Sequence, residues 1–204
     1  MIEGQFQDRQ KSRDIAERST ARTDRNADTY QEFLGFSLKE LKGKFGLDIG
    51  SGENELFSKQ AAALGVKVFS MSPRLRKGIP NDYLKKDWQK RSVAGRAQEI
   101  PFLDNTFDFE FALYSVPYYL PVTFEEFKTH QTSFEEYTSF ISEVIRTLKS
   151  GGSAHIYPIY GQQLTITKEI LKKFSQLATY TLTCIQPEKN PLGSMYRLVL
   201  TKKH

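Results

Sequence analysis

The 204 residues include 39% hydrophobic and 26% charged side chains with a net charge of +5, which suffices for one sizeable core and excludes a collagen-like, low-complexity or wholly disordered chain. The single cysteine, Cys184, excludes an internal disulfide framework and a thiolate zinc cluster, and it suits a reducing cytoplasm. The longest nearly uncharged apolar run, Phe111 to Val122, is too short for a bilayer and holds two prolines, and Met1 to Gln10 has no signal-peptide core, so neither a membrane partner nor export is expected.

Residues 1–27 have almost no apolar content and read as a polar, flexible extension. Order is expected from Asp28, whose spacing to Gln31 is that of a capping box, as is that of Ser37 to Glu40. Two short helices over 28–42 follow, with Tyr30, Phe33, Leu34, Leu38 and Leu41 as their apolar face. After Gly43, strands and helices alternate. Strands are expected at Phe45 to Ile49, Val66 to Met71, Ser92 to Ala94, Phe107 to Tyr114 and Ala154 to Ile159. Helices are expected at Glu55 to Leu64, behind a Ser133/Glu136 capping box, and around Ile170 to Ala178, with Gly151 and Gly152 ending the second. Tyr180 to Ile185 and Tyr196 to Thr201 close the chain as a hairpin.

Alternating strands and helices require right-handed crossovers, hence an α/β, doubly wound, mostly parallel sheet with an antiparallel edge hairpin. Ligands of such sheets bind outside the carboxyl ends of the strands. Charge is segregated along the chain. Residues 67–96 hold nine basic and two acidic side chains, and residues 97–148 two basic and nine acidic. These are either two solvated surfaces of opposite sign or a face that attracts an anionic partner, nucleic acid included.

The first strand runs into GLDIGSGEN, residues 46–54. Gly50 and Gly52 permit a tight turn and close approach of a ligand, and Asn54 tolerates a left-handed backbone where a third glycine is common. With LDIGSGEN (47–54), AGRAQEIPFLDNTFDF (94–109) and EVIRTLKSGG (143–152) in this order, the chain resembles the class I S-adenosylmethionine-dependent methyltransferases (type 11-like), with Phe45 to His204 as their Rossmann-like seven-stranded domain. The resemblance implies S-adenosylmethionine as cofactor, held by Asp48, Gly50, Ser51, Gly52 and Asn54 along its methionine and ribose. Two positions depart from it. Ser72 stands where an acid usually meets the ribose hydroxyls, and Arg96 where an aspartate often faces the adenine. Two lost charged hydrogen bonds are worth about 3–6 kcal/mol. Met71, Ser72, Ala97 and Gln98 are the candidates to rebuild that end of the pocket. The alternative is a non-catalytic module of the same fold that binds a protein or a phosphate-bearing nucleotide, with Arg74, Arg76 or Arg96 as the anion's partner.

After the fourth strand, SVPY (Ser115 to Tyr118) is similar to the motif that orients the nitrogen in amino-group methyltransferases, with Val116 in place of its first proline. Tyr114, Tyr118 and the loop residue His130 are the candidate catalytic residues, the tyrosines as an aromatic wall and His130 as an optional base. Tyr157 and Tyr160 are expected to line the same mouth; the alternative is that Tyr114, Tyr118 and Tyr119 only pack a lid. A small planar or apolar molecule is the expected acceptor. The sequence contains no metal-ligand cluster, no phosphate loop of the GKS/GKT kind and no Ser-His-Asp arrangement.

Overall fold

The computed structural model describes residues 25–52, 54–73, 91–118, 120, 131–186 and 193–204. Helix α1 (Ala27–Leu34) leads through a 3-10 turn (Leu38–Leu41) into strand β1 (Phe45–Ile49). Helix α2 (Leu56–Ala63), β2 (Lys67–Met71), β3 (Ser92–Val93) and β4 (Phe107–Leu113) follow. Helix α3 (Gln131–Thr147), β5 (Leu148–Tyr160), α4 (Leu164–Lys173), β6 (Ala178–Gln186) and β7 (Met195–Lys202) complete the chain. The seven strands form one sheet in the order β3-β2-β1-β4-β5-β7-β6. All pairings are parallel except those of β7, which lies antiparallel between β5 and β6. The order reverses between β1 and β4, so the switch point falls at the glycine loop after β1.

The sheet buries both faces. Leu47, Ile49, Met71 and Ala112 join Tyr137, Phe140, Ile141 and Val144 of α3 and Ile170 of α4 in one core. Val68, Phe109, Phe111 and Tyr157 join Tyr30 and Leu34 of α1 and Phe57 and Ala61 of α2 in the other. Burial on both sides explains why β1 and β4 read as continuous apolar runs. Gly46 has a steric reason: a Cβ there would lie 2.0 Å from the Phe109 ring.

Local details correct several expectations. The cap of α1 is Asn26, whose Oδ1 accepts from the Thr29 amide at 2.9 Å, and Gln31 instead accepts from the Leu38 amide. Ser37 makes no side-chain cap, and only a 3-10 turn follows it. Helix α3 starts at Gln131, so Ser133 lies inside it rather than at its head. Gly151 and Gly152 do not end that helix. It stops at Thr147, and both glycines lie in β5, where a Cβ on Gly152 would press on the carbonyls of Lys149, Asp108 and Phe107. Strand β5 is therefore longer than its apolar run suggests. Strand β3 is shortened to Ser92–Val93, and the hairpin turn 187–192 lies outside the described residues.

Arg146 ties two of the sequence motifs together. Its guanidinium donates to the carbonyls of Ile100 and Phe102 at 2.8 Å and pairs with Glu143 and Asp104. Glu143 in turn accepts from the Ile100 amide. One side chain of EVIRTLK thus fixes the shape of IPFLDN before β4.

Candidate functional site

At the carboxyl end of β1 the chain turns through Gly50 (φ +84°) and Gly52 (φ +76°), a region only glycine enters freely. The Gly50 amide donates to the Met71 carbonyl at 2.7 Å, pinning the loop to β2. A Cβ on Gly50 would lie 2.5 Å from Ser115 Oγ, so the β1 and β4 loops touch there. A Cβ on Gly52 would meet nothing within 4 Å. The loop is closed at its base and open at its tip. Ser51 is half-buried and Asn54 exposed. The left-handed backbone expected at Asn54 belongs to its neighbour Glu55 (φ 51°).

Asp48, on β1 just before this loop, is fully buried. The Tyr30 hydroxyl donates to its Oδ1 at 2.9 Å, and Oδ2 has no hydrogen-bond partner. Burial, with Glu55 as a nearby negative charge, pushes the Asp48 carboxyl up to about 7 against the hydrogen bond from Tyr30. Tyr30 itself is held far above its ordinary value by burial and by Asp48, so it stays a proton donor. A buried carboxylate with one bare oxygen, beside an open glycine loop, suits a ligand carrying positive charge.

Asp48, Ser70 and Ser92 are in register across β1, β2 and β3. Above them Ser70 donates to Ser58 of α2 at 2.7 Å, and Ser92 donates to Glu55 Oε1. Glu55 is only 3% exposed, and burial raises its carboxyl above the ordinary range. Of the residues expected at the adenosine end, Met71 is buried beside Ile49 and Ala97, under Gly95. Ser72 is buried, its amide donating to the Val93 carbonyl at 3.2 Å. Ala97 is buried, Gln98 half-buried and Arg96 exposed. Arg96 therefore does not plug a buried hollow.

The carboxyl ends of β4 and β5 are aromatic. Tyr114, in a left-handed backbone (φ 51°), sits with its ring centroid 5.5 Å from Tyr118 and 5.6 Å from Tyr157, and Tyr118 lies 6.0 Å from Tyr160. Ser115 is buried between this group and Gly50. Phe33 of α1 stacks on Tyr157 at 4.9 Å, and the Arg25 guanidinium lies 4.3 Å above the Tyr114 ring. Burial raises the hydroxyls of Tyr114, Tyr157 and Tyr160 above their ordinary value, so these are hydrogen-bond donors at neutral pH and not bases. His130, Tyr119, Arg74 and Arg76 lie outside the described residues. Among the described residues no group of His, Cys, Asp and Glu could hold a metal ion, and no helix is long and apolar enough to cross a membrane.

Three residues of this region escape the motif reading: Arg25, Tyr30 and Glu55. Tyr30 reads as one more apolar residue of a helical face, and no spacing rule pairs it with Asp48, 18 positions on. Helix α1 carries it there because its ends are held. The Ala27 amide donates to Gln60 of α2 at 2.6 Å, and the Leu34 carbonyl faces His155 Nδ1 at 2.7 Å. Burial keeps His155 neutral, so Nδ1–H serves as the donor.

No family profile and no curated protein matches the chain. Solved structures do. The N-methyltransferase NodS from Bradyrhizobium japonicum WM9 shares 15% identity over 87% of this chain and 96% of its own, with a TM-score of 0.57. Its complex with S-adenosyl-L-homocysteine gives 0.56 over 89% of this chain and 90% of its own, at 13% identity. Geranyl diphosphate methyltransferase, in complex with GPP and sinefungin, shares 14% identity over 87% and 78%, with a TM-score of 0.56. Magnesium protoporphyrin IX methyltransferase from Synechocystis PCC 6803, with bound SAM, shares 13% over 81% and 73%, with a TM-score of 0.52. At such identities the likeness is one of fold, and the fold is the α/β, Rossmann-like seven-stranded sheet of these methyltransferases.

Proposed function

We propose that this chain is an S-adenosylmethionine-dependent methyltransferase acting on a small-molecule acceptor. One observation carries the reading: Asp48 Oδ2 is buried without a partner at the head of a glycine loop whose tip, at Gly52, is open. The sheet order supports it, because this loop leaves the sheet where its order reverses. So does the fold likeness to methyltransferases in complex with SAM or S-adenosyl-L-homocysteine.

The residues present fit such a cofactor. Asp48 would accept from its ammonium group, Gly50 to Gly52 would let its chain approach the backbone, and Arg25 offers a cation to its carboxylate. Ala97 and Gln98 would border the adenine. When bound, the cofactor supplies a methyl group made electrophilic by the sulfonium. The protein's share is then alignment and exclusion of water. The tyrosine group beside Ser115 walls the acceptor side, and its rings hold a planar or apolar acceptor. No base is needed for an acceptor that presents a neutral lone pair.

Calorimetric titration with S-adenosylmethionine and S-adenosylhomocysteine tests the reading. Saturable micromolar binding of both is expected. Absence of heat at millimolar ligand overturns it.

A further inference from the structure

Glu55 is buried, acidic and held in a left-handed backbone (φ 51°, ψ 38°) that a residue with a Cβ disfavours. Helix α2 does not require this. Glu55 occupies its N-cap position, yet its side chain makes no capping hydrogen bond. The carboxylate turns instead to the sheet, where Ser92 of β3 donates to Oε1 and the Ser70 hydroxyl of β2 also faces it. Ser92 precedes Val93, whose carbonyl holds the Ser72 amide at 3.2 Å. The carboxylate therefore stands within a residue or two of Ser72, the position at the end of β2 where an acid was expected and is missing.

We propose that Glu55 is the ribose-binding carboxylate of this chain: the acid absent from the end of β2 is supplied from the head of α2, to accept from the sugar hydroxyls of an adenosyl ligand. This rests on the cofactor reading above. A carboxylate offers about four lone-pair sites, and the two serines occupy at most two of them. The serines also explain how an acid so deeply placed keeps one orientation. The left-handed turn at Glu55, one residue beyond the third-glycine position, aims it inward.

Calorimetry with S-adenosylhomocysteine and its 3′-deoxyribose analogue tests this. The wild-type protein should prefer the parent compound by about 10- to 100-fold, the loss expected for one hydrogen bond to a charged group. Glu55→Gln, which keeps a neutral acceptor, should cut that preference severalfold. Adding Ser72→Asp to that variant should restore the preference, because it returns an acid to the end of β2. A Glu55→Gln protein that keeps the wild-type preference, or that weakens both ligands equally, overturns the proposal and leaves the cofactor reading intact. A wild-type protein that takes up neither ligand overturns both. If Glu55→Gln melts well below the wild type, Ser92→Ala replaces it. Freeing the carboxylate should then cut the preference severalfold, and an unchanged preference overturns the assignment.

Discussion

The carboxyl end of β1 and the middle of β4 each hold a fully buried carboxylate with one oxygen that no group satisfies: Asp48 Oδ2 and Glu110 Oε2. Burial raises both, Asp48 to about 7 and Glu110 to about 8. Their neighbours differ in kind. Glu110 lies under α3, with Thr147 Oγ1 2.6 Å from its Oε1 and 2.8 Å from the Glu143 carbonyl. Thr147 donates to Oε1 of the charged acid, and a neutral Glu110 can instead donate to Thr147, which then donates to that carbonyl, so Oε1 keeps its partner with the proton on. Asp48 faces Tyr30, whose hydroxyl donates to its Oδ1 and so favours the charged form. A buried acid beside an acceptor chain is a structural group. One beside a donor and an open glycine loop is the one proposed to meet a cation.

The largest expected effect separates the two regions by binding. Asp48→Asn keeps the shape and one acceptor but removes the charge. It should weaken S-adenosylhomocysteine about 100-fold, the upper range for a hydrogen bond between charged groups. Glu110→Gln should leave that affinity within about twofold, since it lies under α3, away from the loop. Equal losses in the two variants, read by calorimetry, would erase the distinction.

How much of this was legible beforehand follows from range. The strand-helix alternation and the glycine loop are local, so chain order and sheet type could be read from apolar periodicity and two glycines. The ends of elements were less legible. Asn26 won the cap over Asp28, and β5 absorbs Gly151 and Gly152, because tertiary contacts decide ends. The Tyr30–Asp48 bond and the Glu55–Ser92 bond join residues 18 and 37 positions apart, which no local pattern announces. Composition favours Asn54 for the left-handed turn, yet Glu55 adopts it, with its carboxylate bonded to Ser92 of β3.

The second effect concerns stability. Glu110 has a folded-state value near 8 against an ordinary 4.5, so the unfolded chain releases this proton first as pH rises. Its contribution is fully present below about pH 4.5 and lost as pH climbs through about 8. Glu110→Gln, which mimics the neutral acid toward Thr147, should melt at the wild-type temperature at about pH 4 and on the order of 10 °C higher at pH 9. Thermal melts across that range check it. A variant less stable than the wild type at pH 9 would mean that the charged form has a partner on the α3 face.

The smallest effect is the most discriminating for Asp48. Tyr30→Phe keeps the ring stacked on Phe57, whose centroid is 4.0 Å away, and deletes only the hydroxyl. The fold should lose about 1 kcal/mol, the net worth of one hydrogen bond. Without that donor the Asp48 carboxylate is harder to ionise, so its titration moves to higher pH. Binding of a cationic ligand requires the charged carboxylate. Wild-type affinity should therefore rise about tenfold per pH unit below about 7 and level off above it. In Tyr30→Phe the plateau should begin at higher pH, with affinity near neutrality down about three- to tenfold and the plateau itself little changed. A merely structural tyrosine would lower the whole curve without moving its bend. The position of the bend, measured by calorimetry from pH 6 to 9, thus decides whether α1 only packs against the sheet or also sets the charge of Asp48.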